Sequence, residues 1–158
     1  IMSSITIQKI KDAELLASLN EEVQNWHHEN FPEEFKAFNY KEIQTFFENL
    51  LNREDVYAFI ALVNGKAIGY VFFYIVRKEE NAFQVKRNYI HIDQIFVTED
   101  FQKKGIGEKL MQEVEKIAET KNINNIRLDF WSKNNKAKNF FTKNRYNCFN
   151  YKMIKDLK

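Results

Sequence analysis

The chain is poor in the residues that make disulfides, metal centres and breaks. Cys148 is the only cysteine in 158 residues, so no internal disulfide can form and a reducing compartment, the cytoplasm, is expected. A small apolar role in a terminal strand suits that thiol better than a nucleophilic one. Of the three histidines, His27 and His28 are adjacent and have no cysteine beside them, a poor ligand spacing, so no metal site is expected. The net charge of +2 is too small to argue for nucleic acid as a partner. No apolar run reaches membrane-spanning length and no secretory leader is read, so no membrane partner is expected. Ile1, ahead of Met2, is set aside as a boundary remnant.

What is present argues for a packed fold. Hydrophobic residues make up 44% of the chain and aromatic residues 15%, enough to bury a core, and the length suits one domain over residues 1–158. Ile5 to Ile10 alternates as a strand, and Asp12 can cap a helix running to about Trp26. Phe31-Pro32 breaks the chain, and a second helix runs from about Tyr40 to Leu51. Tyr57 to Val63 and Ala67 to Val76 read as strands joined by the turn Asn64-Gly65. A polar connection, Lys78 to Asn88, leads to a strand from Tyr89 to Val97. A helix from Glu108 to Thr120, a strand at Ile126 to Trp131, a helix from Lys133 and a final strand near Tyr146 to Ile154 complete the order. No repeat interrupts it, and the alternation predicts α/β packing around a mixed sheet.

Between the Tyr89 strand and the following helix stands Gln102-Lys103-Lys104-Gly105-Ile106-Gly107. A glycine turn opening a helix can bring bare backbone N–H groups to a phosphate, with the helix dipole behind them. The dinucleotide fingerprint G-x-G-x-x-G fails because Leu110 stands at its third glycine. The nucleotide P-loop fails because Gly105 and Gly107 are too close together and no Lys-Ser or Lys-Thr pair follows.

What remains, Q-x-x-G-x-G, resembles the pyrophosphate loop of the GCN5-related N-acetyltransferase (GNAT) family, which binds acetyl-CoA. Asn134-Asn135-Lys136-Ala137 followed by Phe140-Phe141 is similar to the family's later N-x-x-A motif. The resemblance runs from Tyr89 to Lys143 and implies a mixed, mostly antiparallel central sheet flanked by helices. It also implies a splay between the pantetheine-binding strand and the next. The pantetheine arm would pair with the backbone of Ile95, Phe96 and Val97, and the N–H groups from Gln102 through Lys103, Lys104, Gly105 and Ile106 to Gly107 would wrap the pyrophosphate. Asn134 would meet the pantetheine, cap the last helix, or both. Phe141 stands on the cofactor side, where many members carry a proton-donating tyrosine, so the usual acid is missing here.

Acetyl transfer to an amine needs the neutral base form, and deprotonating an alkylammonium at pH 7 costs roughly 4–5 kcal/mol. Asp93 and His91 are the candidates for that work, two apart on one strand and therefore on one side. Asp is unfavourable inside a strand, so Asp93 is either a base or the partner of a neighbouring loop. Histidine as a residue type suits a base, but His91 taken alone reads better as a hydrogen-bonded, half-buried side chain. Tyr146 and Tyr151 are alternative donors for the leaving thiolate. The resemblance places an acceptor wall after the first helix, and Trp26, His28, Glu29, Phe31 and Phe35 are its candidates, with a solvated loop as the other reading. Three readings follow. The first is an acetyl-CoA-dependent N-acetyltransferase acting by direct attack on a small cationic or protein amine. The second is a catalytically weak acyl-CoA-binding regulatory module. The third is a protein-interaction domain whose aromatic surplus marks a homodimer or partner surface.

Overall fold

The computed structural model describes residues 4–158, so the reading of Ile1 lies outside them. Five strands form one sheet in sequential order: β1 (Ile5–Lys9), β2 (Val56–Val63), β3 (Lys66–Lys78), β4 (Arg87–Val97) and β5 (Ile126–Arg127). The first four pair antiparallel, and β5 alone runs parallel to β4. Helices α1 (Ala13–Asn30) and α2 (Tyr40–Leu50) cover one face, while α3 (Ile106–Thr120) and α4 (Asn135–Lys143) lie on the other. The fold is thus mixed α/β with a mostly antiparallel sheet, as expected.

Local chemistry explains most of the elements. Asp12 caps α1 by accepting from the Leu15 N–H at 2.9 Å, and Asn39 does the same for α2 from Glu42 at 3.1 Å. Asn64 and Gly65 both have positive φ, 50° and 78°, the geometry a two-residue hairpin loop between β2 and β3 requires. The central strand β3 is apolar on both sides. Val71, Phe73 and Ile75 meet Leu110, Met111, Val114 and Phe141, while Tyr70 and Phe72 meet Leu16 and Phe47. That two-sided burial makes β3 a near-continuous hydrophobic run.

Three expectations about extent are corrected. Helix α1 continues one turn past Trp26 to Asn30, because nothing opposes the helix until Phe31, whose αR conformation is excluded by the following Pro32. Strand β5 is two residues long, since only Ile126 and Arg127 pair, with Ile90 and His91. The terminal strand near Tyr146 to Ile154 does not form. Beyond Tyr146 the chain adopts no regular structure and all its residues are exposed, because β5 is too short to offer an edge that could template it.

Candidate acetyl-transfer site

The short β4–β5 ladder opens the sheet. On one side β4 remains paired with β3 as far as Val97, which faces Gly69. On the other side the ladder stops at His91, so the backbone edge of Ile95, Phe96 and Val97 has no strand beside it. Ile95 and Val97 turn their side chains to the α3–α4 core and Phe96 turns to the α1–α2 core. The splay expected between β4 and its neighbour is therefore present.

β4 also carries a bulge. Phe72 pairs with Gln94 and Phe73 with Ile92, which leaves Asp93 as the extra, unpaired residue. A bulge re-aims side chains, and here Asp93 and Gln94 come together although they are neighbours in a strand. The Gln94 amide Nε2 donates to Asp93 Oδ2 at 3.2 Å. Tyr70 Oη donates to Gln94 Oε1 at 2.7 Å, and Asn20 Nδ2 from α1 lies 3.0 Å from Tyr70 Oη and 3.3 Å from Gln94 Oε1. The Asp93 carboxyl is reachable by solvent yet crowded by protein, and that desolvation raises its pKa above the usual carboxylate value. The positive charge that His91 can carry and the Gln94 hydrogen bond act against the rise, and Asp129 reinforces it. His91 stands 5.3 Å from the Tyr74 ring, and desolvation followed by the charge of Asp93 raises the Tyr74 pKa. So His91 and Asp93 do share a side, joined there by Tyr74 and by Asp129, which the sequence reading had not singled out.

At the far end of β4 a turn of 3-10 helix (Glu99–Phe101) leads into the glycine loop. The Gln102 backbone N–H is held by Glu99 O at 3.2 Å and its side chain donates to Val97 O at 2.9 Å, so Gln102 fastens the loop to the strand. Lys103 and Gly105 have left-handed φ values of 58° and 78°, on either side of Lys104. Such alternation turns successive N–H groups inward to form an anion-binding concavity. Among the described residues no protein acceptor takes the N–H groups of residues 103–108, and α3 has no side-chain cap. α3 begins at Ile106, so Gly107 lies in its first turn. A Cβ there would sit 2.8 Å from the Phe140 ring, so Gly107 is also required by the packing of α3 on α4. Lys104 Nζ lies 5.3 Å above the Phe101 ring, beside the concavity.

In α4, Asn134 Oδ1 accepts from the Ala137 N–H at 3.0 Å and caps the helix, leaving the amide nitrogen for any outward bond. Phe141 is 5% exposed and packs against Phe140 and Tyr146 at 5.1 and 5.4 Å between centroids. It serves the core. Burial raises the pKa of Tyr146, which makes it a weak proton donor, while Tyr151 is fully exposed in the tail.

The acceptor candidates divide. Phe31 and Phe35 each stand 4.9 Å from the Trp131 ring, His27 stacks on Phe35 at 4.5 Å, and Trp26 meets Phe31 at 6.3 Å. Lys133 Nζ donates to Asn30 O at 2.9 Å and lies 5.0 Å above Phe31, so the β5–α4 loop clasps the α1–α2 loop. His28 Nδ1 is 2.7 Å from Phe35 O and shapes the loop, while Glu29 is exposed on the last turn of α1. Trp131 lies beyond the end of β5, outside the strand expected over Ile126 to Trp131, and the sequence carries no signal of this role beyond its aromatic ring.

A profile of the acetyltransferase (GNAT) family matches residues 20–145, and the chain belongs to that family. Among solved structures it is similar to a tetramutant of the BH1408 protein from Bacillus halodurans. That pair has a TM-score of 0.90 and 19% identity, over 96% of this chain and 99% of that one. It is also similar to AAC(6')-Iy in complex with the bisubstrate analogue CoA-S-monomethyl-acetylneamine, with a TM-score of 0.75 and 17% identity over 99% of each chain. A third similar structure is the aminoglycoside antibiotic 6'-N-acetyltransferase AAC(6')-Ih from Acinetobacter baumannii, with a TM-score of 0.73 and 16% identity over 98% of this chain and 99% of that one.

Proposed function

We propose that this chain, acting as a single domain, moves the acetyl group of acetyl-CoA to a primary amine on a small cationic molecule by direct attack in a ternary complex. One arrangement carries the reading. The unpaired N–H groups of residues 103–108 are tied through Gln102 to the end of β4, and the open edge of β4 leads from there to Asp93. From Val97 to Asp93 is about 13 Å of strand, which suits a pantetheine arm paired with Ile95, Phe96 and Val97. Asn134 Nδ2, left over by the cap, would donate to that arm. CoA with an amine is what AAC(6')-Iy holds in its bisubstrate complex, which supports the same class of acceptor here.

In this reading Asp93 takes a proton from the acceptor ammonium, directly or through water, and His91 stands beside it as a second acceptor. The amine lone pair attacks the thioester carbonyl to form the C–N bond, the second N–H proton passes to His91 or water, and the C–S bond breaks as CoA leaves as the thiolate. A thiol with a pKa of about 8.5 leaves with little help, so Phe141 at the usual acid position does not forbid turnover. The aromatic group of Trp26, Phe31, Phe35 and Trp131 would pack against the acceptor's carbon skeleton, with Glu29 and Asp129 attracting its charge. The alternative, an acyl-CoA-binding module with little turnover, rests on Phe141. We also propose a homodimer, supported by the exposed apolar tail, and a cytoplasmic location, supported by the single free thiol of Cys148.

Isothermal titration of the full chain with acetyl-CoA and CoA, with NAD and ATP as controls, tests the cofactor. Binding of the CoA species alone, followed by thiol release with a panel of small amines, is the expected result. CoA binding without thiol release from any amine would favour the binding module, and no CoA binding by folded protein would refute both readings.

A further inference from the structure

The Asn20–Tyr70–Gln94 chain is fully specified by donor and acceptor logic from one end. Asp93 Oδ2 lies 3.2 Å from the end of the Gln94 amide, and an ionised carboxylate accepts only, so Gln94 must present its NH₂ there. Gln94 Oε1 then faces inward and needs donors, which the Tyr70 hydroxyl and Asn20 Nδ2 provide at 2.7 and 3.3 Å. Asn20 is thereby forced to turn its oxygen the other way. That atom, Asn20 Oδ1, is the one buried side-chain polar atom without a partner among the described residues. An orphaned acceptor on a residue 4% exposed is unfavourable and is tolerated where the surrounding network dictates it. The orphan is thus explained by the charge at Asp93, three residues along the chain of hydrogen bonds.

We propose that Asn20, Tyr70 and Gln94 form a positioning relay for Asp93, holding the Gln94 amide so that its N–H groups meet the ionised carboxylate. The inference rests on Asp93 as the proton acceptor of the proposed transfer. The relay spans three elements, α1, β3 and β4, and the bulge makes it possible by bringing Gln94 alongside Asp93. Tyr70 is fully buried, so its hydroxyl has no contact with solvent and acts only through Gln94. The charged and titratable groups that bear on Asp93 are His91 on β4, Tyr70 and Tyr74 on β3, and Asp129 beyond β5; α1 contributes only the neutral amide of Asn20 to the relay.

The test is an NMR titration of the Asp93 side-chain carboxyl in the full-length protein, needing no turnover, set beside the pH profile of kcat/KM. In Tyr70→Phe and in Gln94→Leu the Asp93 midpoint should move up by half to one pH unit. Below the acidic limb kcat/KM should then fall about three- to tenfold, with the KM for acetyl-CoA unchanged. Gln94→Leu, at a partly exposed position, keeps the test open if Tyr70→Phe fails to fold. A midpoint unmoved in the folded variants overturns the relay. If the midpoint moves while the acidic limb of activity does not follow it, and Asp93→Asn also keeps the limb, the relay stands as a device acting on Asp93 and the base assignment fails.

Discussion

Gly105 and Gly107 stand two residues apart and are needed for different reasons. Gly105 has a φ of 78° and open space where a Cβ would be, so a side chain there strains the backbone without hitting anything. Gly107 has the reverse problem: its backbone suits any residue, but the Phe140 ring comes within 2.8 Å of where a Cβ would stand. A tryptophan at 107 would have to displace that ring before it could block the loop. Asp93 illustrates a different tension. Its pKa is raised in the folded protein, so the contribution of ionisation to stability runs opposite to that of a paired carboxylate. The folded state is favoured while Asp93 is protonated, below its unfolded value near 3.8, and it loses stability as the pH rises through the raised folded value. Asp93→Asn removes that burden, so its melting temperature should equal or exceed the parent's at pH 7 and show no such gain at pH 3. A loss of stability at pH 7 larger than at pH 3 would show that the carboxylate is held by favourable contacts after all.

At the scale of elements, the sequence was legible where local chemistry decides. Asp12 and Asn39 sit at helix starts, Asn64-Gly65 suits one turn type, and the two-glycine loop resembles that of the family to which the chain belongs. It was illegible where partners far along the chain decide. Nothing in Asp93-Gln94 announces a bulge, because the skipped pairing is set by Phe72 and Phe73 on the neighbouring strand. For the same reason Gln94, Tyr70 and Asn20 were absent from the expected site. The early end of β5 was hidden as well, since Leu128 to Trp131 looks like a strand until it is seen leaving the sheet to clasp the α1–α2 loop. Gly69 belongs with these. A Cβ on it would lie 2.6 Å from Phe96 O, a backbone atom that cannot swing aside, so β3 and β4 approach there only because residue 69 has no side chain. Gly69→Ala should therefore destabilise the protein by about 1–3 kcal/mol in urea unfolding and weaken CoA binding, because the shifted edge is the one proposed to pair with pantetheine. Unchanged stability would mean that β4 has slack at Phe96 and that the open edge is not held rigidly.

On the scale of the whole molecule, the unsolved surface is the C-terminal tail. Phe149, Tyr151, Met153, Ile154 and Leu157 are each at least 72% exposed, in a stretch that reads as a strand and pairs with nothing. Soluble monomers rarely leave so many large apolar side chains together in water. Arg127 of β5 stands 5.1 Å from the Phe149 ring, so the tail leaves the body beside a sheet edge only two residues long. A second copy related by a two-fold axis would bring its own tail and its own open edge to the same place, a self-complementary arrangement. The side chains in the tail touch little of their own domain, so a chain ending at Asn147 should keep the thermal unfolding of the intact core. Sedimentation at micromolar concentration should then give a dimer for the full chain and a monomer for the shortened one. Equal monomer masses would remove the second copy as the tail's partner, and a shortened chain that unfolds much earlier would show that the tail packs on its own domain in solution.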